Sequence, residues 1–256
     1  MSRYGLKIRY SLLWQSDWHV GSGYGTAAID RLSRRGSLGG KETPLVPGSQ
    51  VKGVVRQTCE ELVATIGLEV VDIHGVDTDA TTELVETFIP GNTSPLLIDR
   101  LFGSRYSGEC LFFSNAMPMQ SRLHELPVVM RNSIDRSTGT AASQKLFSTE
   151  VVPAEAYSLK GEIEAIHPKE QLTRSDSSDG FPYEYSLLVA ALSITESLGG
   201  DRSTGRGRVT PEIENIRWRS PLLSSWEVIG VDEALRPLAD EDDLGAWIEM
   251  VRKDPK

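Results

Sequence analysis

The stretch Thr43-Pro44-Leu45-Val46-Pro47-Gly48-Ser49-Gln50-Val51-Lys52-Gly53-Val54-Val55-Arg56 narrows the choice of folds more than any other in the chain. Two prolines and a glycine dictate a rigid turn, and the residues after them follow a helical period. Ser49 is a residue type favoured at an N-cap, so a helix is expected over about 49–66. At about 100° per residue, Val51, Val54, Val55, Thr58 and Leu62 share one face, and Ser49, Lys52 and Arg56 share the opposite one. Free N–H groups at the helix start add partial positive charge beside the two cations, while Gly48 and Gly53 let another backbone come close. This is a cradle suited to phosphate. A solvated helix face with an ordinary cap is the competing reading, and on these residues alone it prevails.

Around this helix the chain alternates between strand signals and polar loops. Residues 4–14 alternate and carry β-formers, predicting a first strand. The turn Asp17-Trp18-His19-Val20-Gly21-Ser22-Gly23 follows, and Gly25 to Lys41 reads as a long, basic, glycine-rich loop with one acid, Asp30. Neither glycine cluster is a nucleotide motif. Thr26 stands at the third glycine position of a dinucleotide fingerprint, and Val54 stands where a P-loop needs lysine. Residues 67–98 are acidic and irregular, an expected insertion, and Leu101-Phe102-Gly103 is expected to open a new ordered unit. Strands are expected at Glu109–Asn115 and Ala156–Ile166. Between them, two β-rich ends flank a polar, Gly-containing tip, predicting a protruding hairpin at about 128–152. A helix is expected from Tyr183 to Leu198, stopped by Gly199-Gly200, and a strand from Val209 to Trp218. Between these two lies Gly199-Gly200-Asp201-Arg202-Ser203-Thr204-Gly205-Arg206-Gly207-Arg208, whose glycines and arginines can wrap a phosphate backbone.

Charge and composition bound the possible functions. The net charge of −9 by itself disfavours nucleic acid, yet Arg31, Arg34, Arg35 and Lys41 crowd one segment and Arg202, Arg206 and Arg208 another. The acids gather elsewhere, at Asp72 to Glu86 and Asp240 to Asp243, so local clusters outweigh the total. Hydrophobic residues make up 39% and charged residues 25%, as in soluble globular chains. No apolar run approaches the roughly 20 residues that span a bilayer, and the N-terminus has no signal-peptide core. No membrane association is expected, and the expected location is cytoplasmic. Cys59 and Cys110 stand far apart without metal-ligand spacing, which predicts reduced, buried thiols and no zinc site. The acidic tail 221–256, with Trp226 and Trp247, is expected to pack on the body or on a neighbouring subunit.

Taken together and in order, these stretches resemble the RAMP superfamily of CRISPR-associated RNA-binding proteins, over about residues 8–216. His19 to Gly23 looks like the family's histidine–glycine turn, and Pro44 to Arg56 looks like its P-x-I-P-G-S-S-L-K-G-x-x-R motif. Leu101-Phe102-Gly103, Ile134 to Ala141 and Gly199 to Gly207 complete the set. The resemblance is closest to the backbone subunits of type III effector complexes. It implies an α+β fold: a modified RRM or ferredoxin-like core with a thumb β-hairpin and inserted loops, here a domain over 1–220 with its thumb at about 128–152, then the acidic extension 221–256.

The resemblance also implies partners and chemistry. The expected partners are guide RNA (crRNA), target RNA, other CRISPR complex subunits, and copies or paralogues of the chain itself, in a ribonucleoprotein for antiviral defence. In catalytic members a loop aspartate before the motif helix cuts target RNA with a divalent metal, Mg or Mn. Asp30 is the matching position, both as catalytic residue and as metal ligand, although Arg31 follows where a small or apolar residue is usual. RNA brings its own nucleophile in the 2′-OH, so one carboxylate suffices to take a proton or hold a metal, and 5′-OH and 2′,3′-cyclic phosphate ends are expected. His19, Ser49, Lys52, Arg56, Arg131, Ile134, Arg136, Arg202, Arg206 and Arg208 are the expected RNA-contacting residues, with Ile134 as an apolar wedge.

Three other readings stay open at this point. The chain could be a structural RAMP subunit without chemistry. It could be a stand-alone guide-processing endoribonuclease that uses His19 as acid or base. It could instead be a metabolic enzyme that uses Gly199–Gly207 for a phosphorylated metabolite.

Overall fold

The computed structural model describes residues 3–68, 70, 97–103, 108–120, 125–176, 180–222 and 225–253. Its centre is β1, Arg3–Trp14, whose alternation sends Tyr4, Leu6, Ile8, Tyr10 and Leu12 into the core. On one side β1 pairs antiparallel with β8, Leu159–Pro168, and on the other with β9, Val209–Arg219. The short β4, Leu111–Phe113, adds to the outer edge of β8, and β10, Glu227–Ile229, adds to β9. The spatial order is thus β10-β9-β1-β8-β4, with β5, Met117–Pro118, also pairing with β8. Without β10 and β5 this is the 4-1-3-2 order of a ferredoxin-like sheet. Two helices supply its other layer: α1, Gly48–Thr65, after β1, and α3, Tyr183–Ser193, after β8.

Register places the loops that follow β1 and that precede β8 and β9 at one end of this sheet. Leu12 faces Leu159, Trp14 faces Val209, and Pro118 also faces Leu159. Chain leaving β1, entering β8 and entering β9 therefore gathers at the same end, bringing 15–47, 151–158 and 194–208 together there.

The helix α1 forms where expected but is held differently. Ser49 is exposed inside the first turn and makes no cap; Pro47 precedes the helix, and the Gly48 N–H donates to Asn115 Oδ1 at 3.0 Å. A Cβ on Gly48 would lie 2.0 Å from the Phe113 carbonyl oxygen, so only glycine permits this approach of helix to strand. The buried stripe runs Val51, Val55, Cys59 and Val63, leaving Val54, Thr58 and Leu62 half-buried. Packing on two neighbours, the sheet and α3, selects this i, i+4 row over the broader apolar face.

Elsewhere tertiary bonding shifts the expected boundaries. The helix α3 stops at Ser193 and not at Leu198, because Ser197 bridges Arg208 and the Leu198 N–H donates to Gly207 O. Part of the expected loop Gly25–Lys41 is a hairpin of β2, Arg35–Leu38, and β3, Lys41–Pro44, turned by Gly39 and Gly40, both at positive φ. The strand expected at Glu109–Asn115 shrinks to β4, since Asn115 turns away to serve α1 and Ala116 bridges Val46. Residues 154–156 form a 3₁₀ turn, so the next strand begins only at Leu159. A short helix α2, Leu97–Phe102, precedes Gly103. The expected insertion 67–98 lies almost wholly outside the described residues.

The thumb is a hairpin of β6, Val128–Ile134, and β7, Ala141–Glu150, with the Asp135 carboxylate accepting from the Ser137 N–H at its tip. The acidic tail folds onto the body as α4, Val231–Ala239, and α5, Glu241–Lys253. Trp247 is buried and stacks on Tyr183 of α3 with ring centroids 4.8 Å apart. Trp226 lies over Gly5 on the opposite side of the sheet, ringed by Lys7, Arg217 and Arg219. That outward side of β1 and β8 carries ion pairs beside the Trp226 ring. Lys7 meets Glu164, Arg9 meets Glu162 at 2.8 Å, and Lys160 meets Glu214. Cys59 is buried as expected, whereas Cys110 is half-buried, and both are free. Among the described residues no helix is long and apolar enough to cross a membrane.

Candidate functional site

At the loop end of the sheet a cleft of about 420 Å³ is lined by His19, Gly21, Ser22, Gly23, Tyr24, Asp30, Arg31, Leu32 and Gly200. Three separate segments build it: the turn after β1, the Asp30 loop and the glycine–arginine loop. The last is clamped in place. The Gly200 N–H donates to His19 O at 2.8 Å, and the Gly207 N–H donates to Asp17 O at 2.8 Å. A Cβ on Gly199, at φ +95°, would lie 2.6 Å from His19 O, so this glycine serves close approach as well as turning.

Asp30 is exposed and fastened to the thumb. Its Oδ2 accepts from the Ser148 N–H at 2.7 Å and from the Ser148 hydroxyl at 2.9 Å. Its Oδ1 has no hydrogen-bond partner among the described residues. The Ser148 bonds hold the Asp30 carboxyl below its ordinary value, so it is ionised at neutral pH. The backbone is fastened too: the Arg31 N–H donates to Ser148 O at 3.0 Å and the Glu150 N–H to Arg31 O at 2.9 Å. The Asp30 loop therefore runs as a short extra strand along the base of β7.

His19 is buried, with its Nδ1 2.8 Å from Glu150 O. A carbonyl only accepts, so Nδ1 carries the proton and Nε2 keeps a lone pair. Burial pulls the His19 pKa below its ordinary value despite the Glu150 bond, so the ring is neutral at pH 7. Glu150, itself buried, accepts from the Ser33 N–H at 2.9 Å and pairs with Arg35. The last residue of the thumb thus fixes the tautomer of a histidine that lines the cleft.

The expected cations divide into three groups. Arg206 of the glycine loop and Arg131 of β6 both reach Asp201, at 3.4 and 3.0 Å, joined by Arg31 at 3.7 Å. Arg202 and Arg208 are exposed in the same loop, and Arg136 and Ile134 are exposed at the thumb tip. Lys52 and Arg56 are bound within the body: Lys52 pairs with Glu109 at 2.9 Å, and every guanidinium nitrogen of Arg56 has a protein partner. Arg56 donates to Glu60, to Gly103 O and to the buried Asp99, so its position faces α2. Register sets α1's start at the same end of the sheet as the glycine–arginine loop.

Ser148, Glu150, Asp201 and Asn115 were not singled out by sequence. Asp201 sits inside a quoted motif, but its role depends on Arg31 and Arg131, far away in the chain. Among the described residues no cluster of three or more His, Cys, Asp or Glu side chains could hold a metal ion.

No curated protein matches the sequence. The family model of the RAMP superfamily matches residues 15–210, from the end of β1 through the glycine–arginine loop and into β9. With that match covering most of a ferredoxin-like core that carries a thumb hairpin, the chain belongs to the RAMP superfamily, the RNA-binding subunits of CRISPR systems.

Proposed function

We propose that the chain is a backbone subunit of a type III interference complex that holds guide RNA and cuts the paired target RNA at the Asp30 cleft. The observation that carries this reading is the tether from Asp30 to Ser148. An ionised, exposed carboxylate held through one oxygen by Ser148 stands at the root of the hairpin that would wedge into a guide–target duplex.

The residues divide the work by their chemistry. Ionised Asp30, with its proton affinity lowered, is better suited to hold charge than to take a proton. The His19 Nε2 lone pair lines the same cleft and is a hydrogen-bond acceptor for a ribose hydroxyl. The cations around Asp201 neutralise the phosphate, and the Gly200 segment closes the side of the cleft. Arg56 serves as a strut for α1 and Lys52 pairs with Glu109, while Arg202, Arg208 and Arg136 meet the RNA backbone by charge and shape. Asp30 would supply one carboxylate oxygen to a divalent ion, with the rest of its ligands left to RNA and water. Such an ion would supply charge neutralisation at the scissile phosphate.

The test is Asp30→Ala in the assembled complex, with cleavage products mapped at nucleotide resolution. Loss of 5′-OH and 2′,3′-cyclic phosphate products, with guide RNA retained, is the expected result. Unchanged cleavage would leave the subunit a structural one, the reading favoured by the absence of a metal-holding cluster of acids among the described residues.

A further inference from the structure

Asp201 is the one described residue other than glycine with positive φ, at 61°. Its carboxylate receives three guanidinium groups from three segments. Arg31 Nη1 lies 3.7 Å from Oδ1, and Arg131 Nη1 and Arg206 Nη1 lie 3.0 and 3.4 Å from Oδ2. Arg131 also reaches Thr204 Oγ1 at 3.5 Å, and Thr204 bonds back to Asp201 O. Phe147, opposite Arg131 in the thumb register, lies under the Arg31 guanidinium at 5.4 Å from ring centroid to Cζ. Thumb, Asp30 loop and glycine–arginine loop thus meet at one carboxylate, half-shielded from water.

The charge count decides what this meeting can do. One carboxylate balances one of the three cations, so the cluster keeps an excess of two positive charges beside the cleft. Without Asp201 the three guanidiniums would repel one another, and their side chains would spread into solvent.

We infer that Asp201 is a positioning residue for RNA: it gathers Arg31, Arg131 and Arg206 into one preformed phosphate-binding cluster and fastens the thumb to the Asp30 loop. The inference rests on the RNA-binding reading and deepens it. It carries a sign that simple electrostatics reverses. Removing a negative charge close to RNA should tighten binding if Asp201 only adds charge. If Asp201 positions the cations, removing its charge weakens binding, because their order is lost before the phosphate arrives.

The test is Asp201→Asn in the full chain, since asparagine tolerates the left-handed backbone as aspartate does. Affinity for a single-stranded RNA oligonucleotide is read by fluorescence anisotropy across a salt series. Amide hydrogen exchange is followed at 128–132 and 146–150. The expected result is RNA binding weaker by about fivefold. Exchange at the thumb base should be faster by about tenfold, with Ile8 and Ile163 in the central strands unchanged. Arg131→Gln should loosen the same amides, and adding it to Asp201→Asn should change little more. Equal or tighter RNA binding by Asp201→Asn, or unchanged exchange at the thumb base, overturns the inference. If the unaltered chain retains no RNA, the RNA reading itself fails, and the exchange result still decides whether Asp201 fastens the thumb.

Discussion

Replacing Arg56 separates a strut from an RNA contact. The sequence puts Arg56 on the charged face of α1, beside Lys52. In the folded chain its Nη2 donates to Asp99 Oδ1 at 3.0 Å, its Nη1 to Gly103 O at 3.1 Å and its Nε to Glu60 at 2.9 Å. Asp99 is 2% exposed, and the guanidinium also lies 5.9 Å from the centroid of the Phe102 ring. Arg56→Met keeps much of the packing but removes the Arg56 cation from the buried Asp99 carboxylate. Removing one partner of a buried pair costs about 3 kcal/mol, on the order of a hundredfold in the folded-to-unfolded ratio. Losing a phosphate contact instead leaves stability nearly untouched and lowers the salt slope of RNA binding by about one. Urea denaturation of Arg56→Met, Asp99→Asn and the double variant checks this, with the double variant expected to cost less than the two singles summed. An unchanged urea midpoint in Arg56→Met, together with a reduced salt slope, would refute the strut and return Arg56 to the RNA.

Two further outcomes follow from buried groups. His167 is held neutral with its pKa lowered to about 4 by burial, its Nε2 donating to Leu101 O at 3.0 Å and its Nδ1 facing the Tyr185 hydroxyl. Because the folded-state value lies below the unfolded one, its contribution is complete above about pH 6.5 and is lost as pH falls towards 4, by about 3 kcal/mol. Denaturation midpoints between pH 7 and 4 should fall less steeply in His167→Gln, and an equal slope would exclude His167 as the source. Trp247→Ala removes the stack on Tyr183 and should cost about 3 kcal/mol in global unfolding, whereas an unchanged midpoint would mean that the tail is not part of the core.

Local patterns in the sequence identified the elements that obey them. The alternation in Tyr4 to Leu12 marks β1 because one face of that strand is buried, and the apolar ends of the thumb mark β6 and β7 because they flank a turn. The glycine–arginine segment was legible as a loop. Boundaries set by distant partners were not legible. Asn115 capping α1, Ser197 bridging Arg208, and Glu150 holding His19 each join residues whose pairing no periodicity encodes. The same limit hid the site's wiring. Asp30 came from the family resemblance alone, and its tether Ser148 lies in an ordinary strand pattern. Arg56 misled because helical spacing gives a residue's face and not what stands opposite it, and α2, which carries Asp99, has no strong local signature.

The ion-paired outer side of the sheet bears on the route a bound strand can take. An RRM reads RNA by stacking bases on aromatic rings of its two middle strands. Here those strands present Lys7, Arg9, Lys160, Glu162 and Glu164, already neutralising one another. A nucleotide laid across them would trade satisfied charges for a surface whose one ring over β1, Trp226, is already ringed by Lys7, Arg217 and Arg219, and it would bring its phosphates up to glutamates. Those paired charges offer a polyanion less than the rim where the loops gather, where Arg31, Arg131 and Arg206 outnumber the one carboxylate they share.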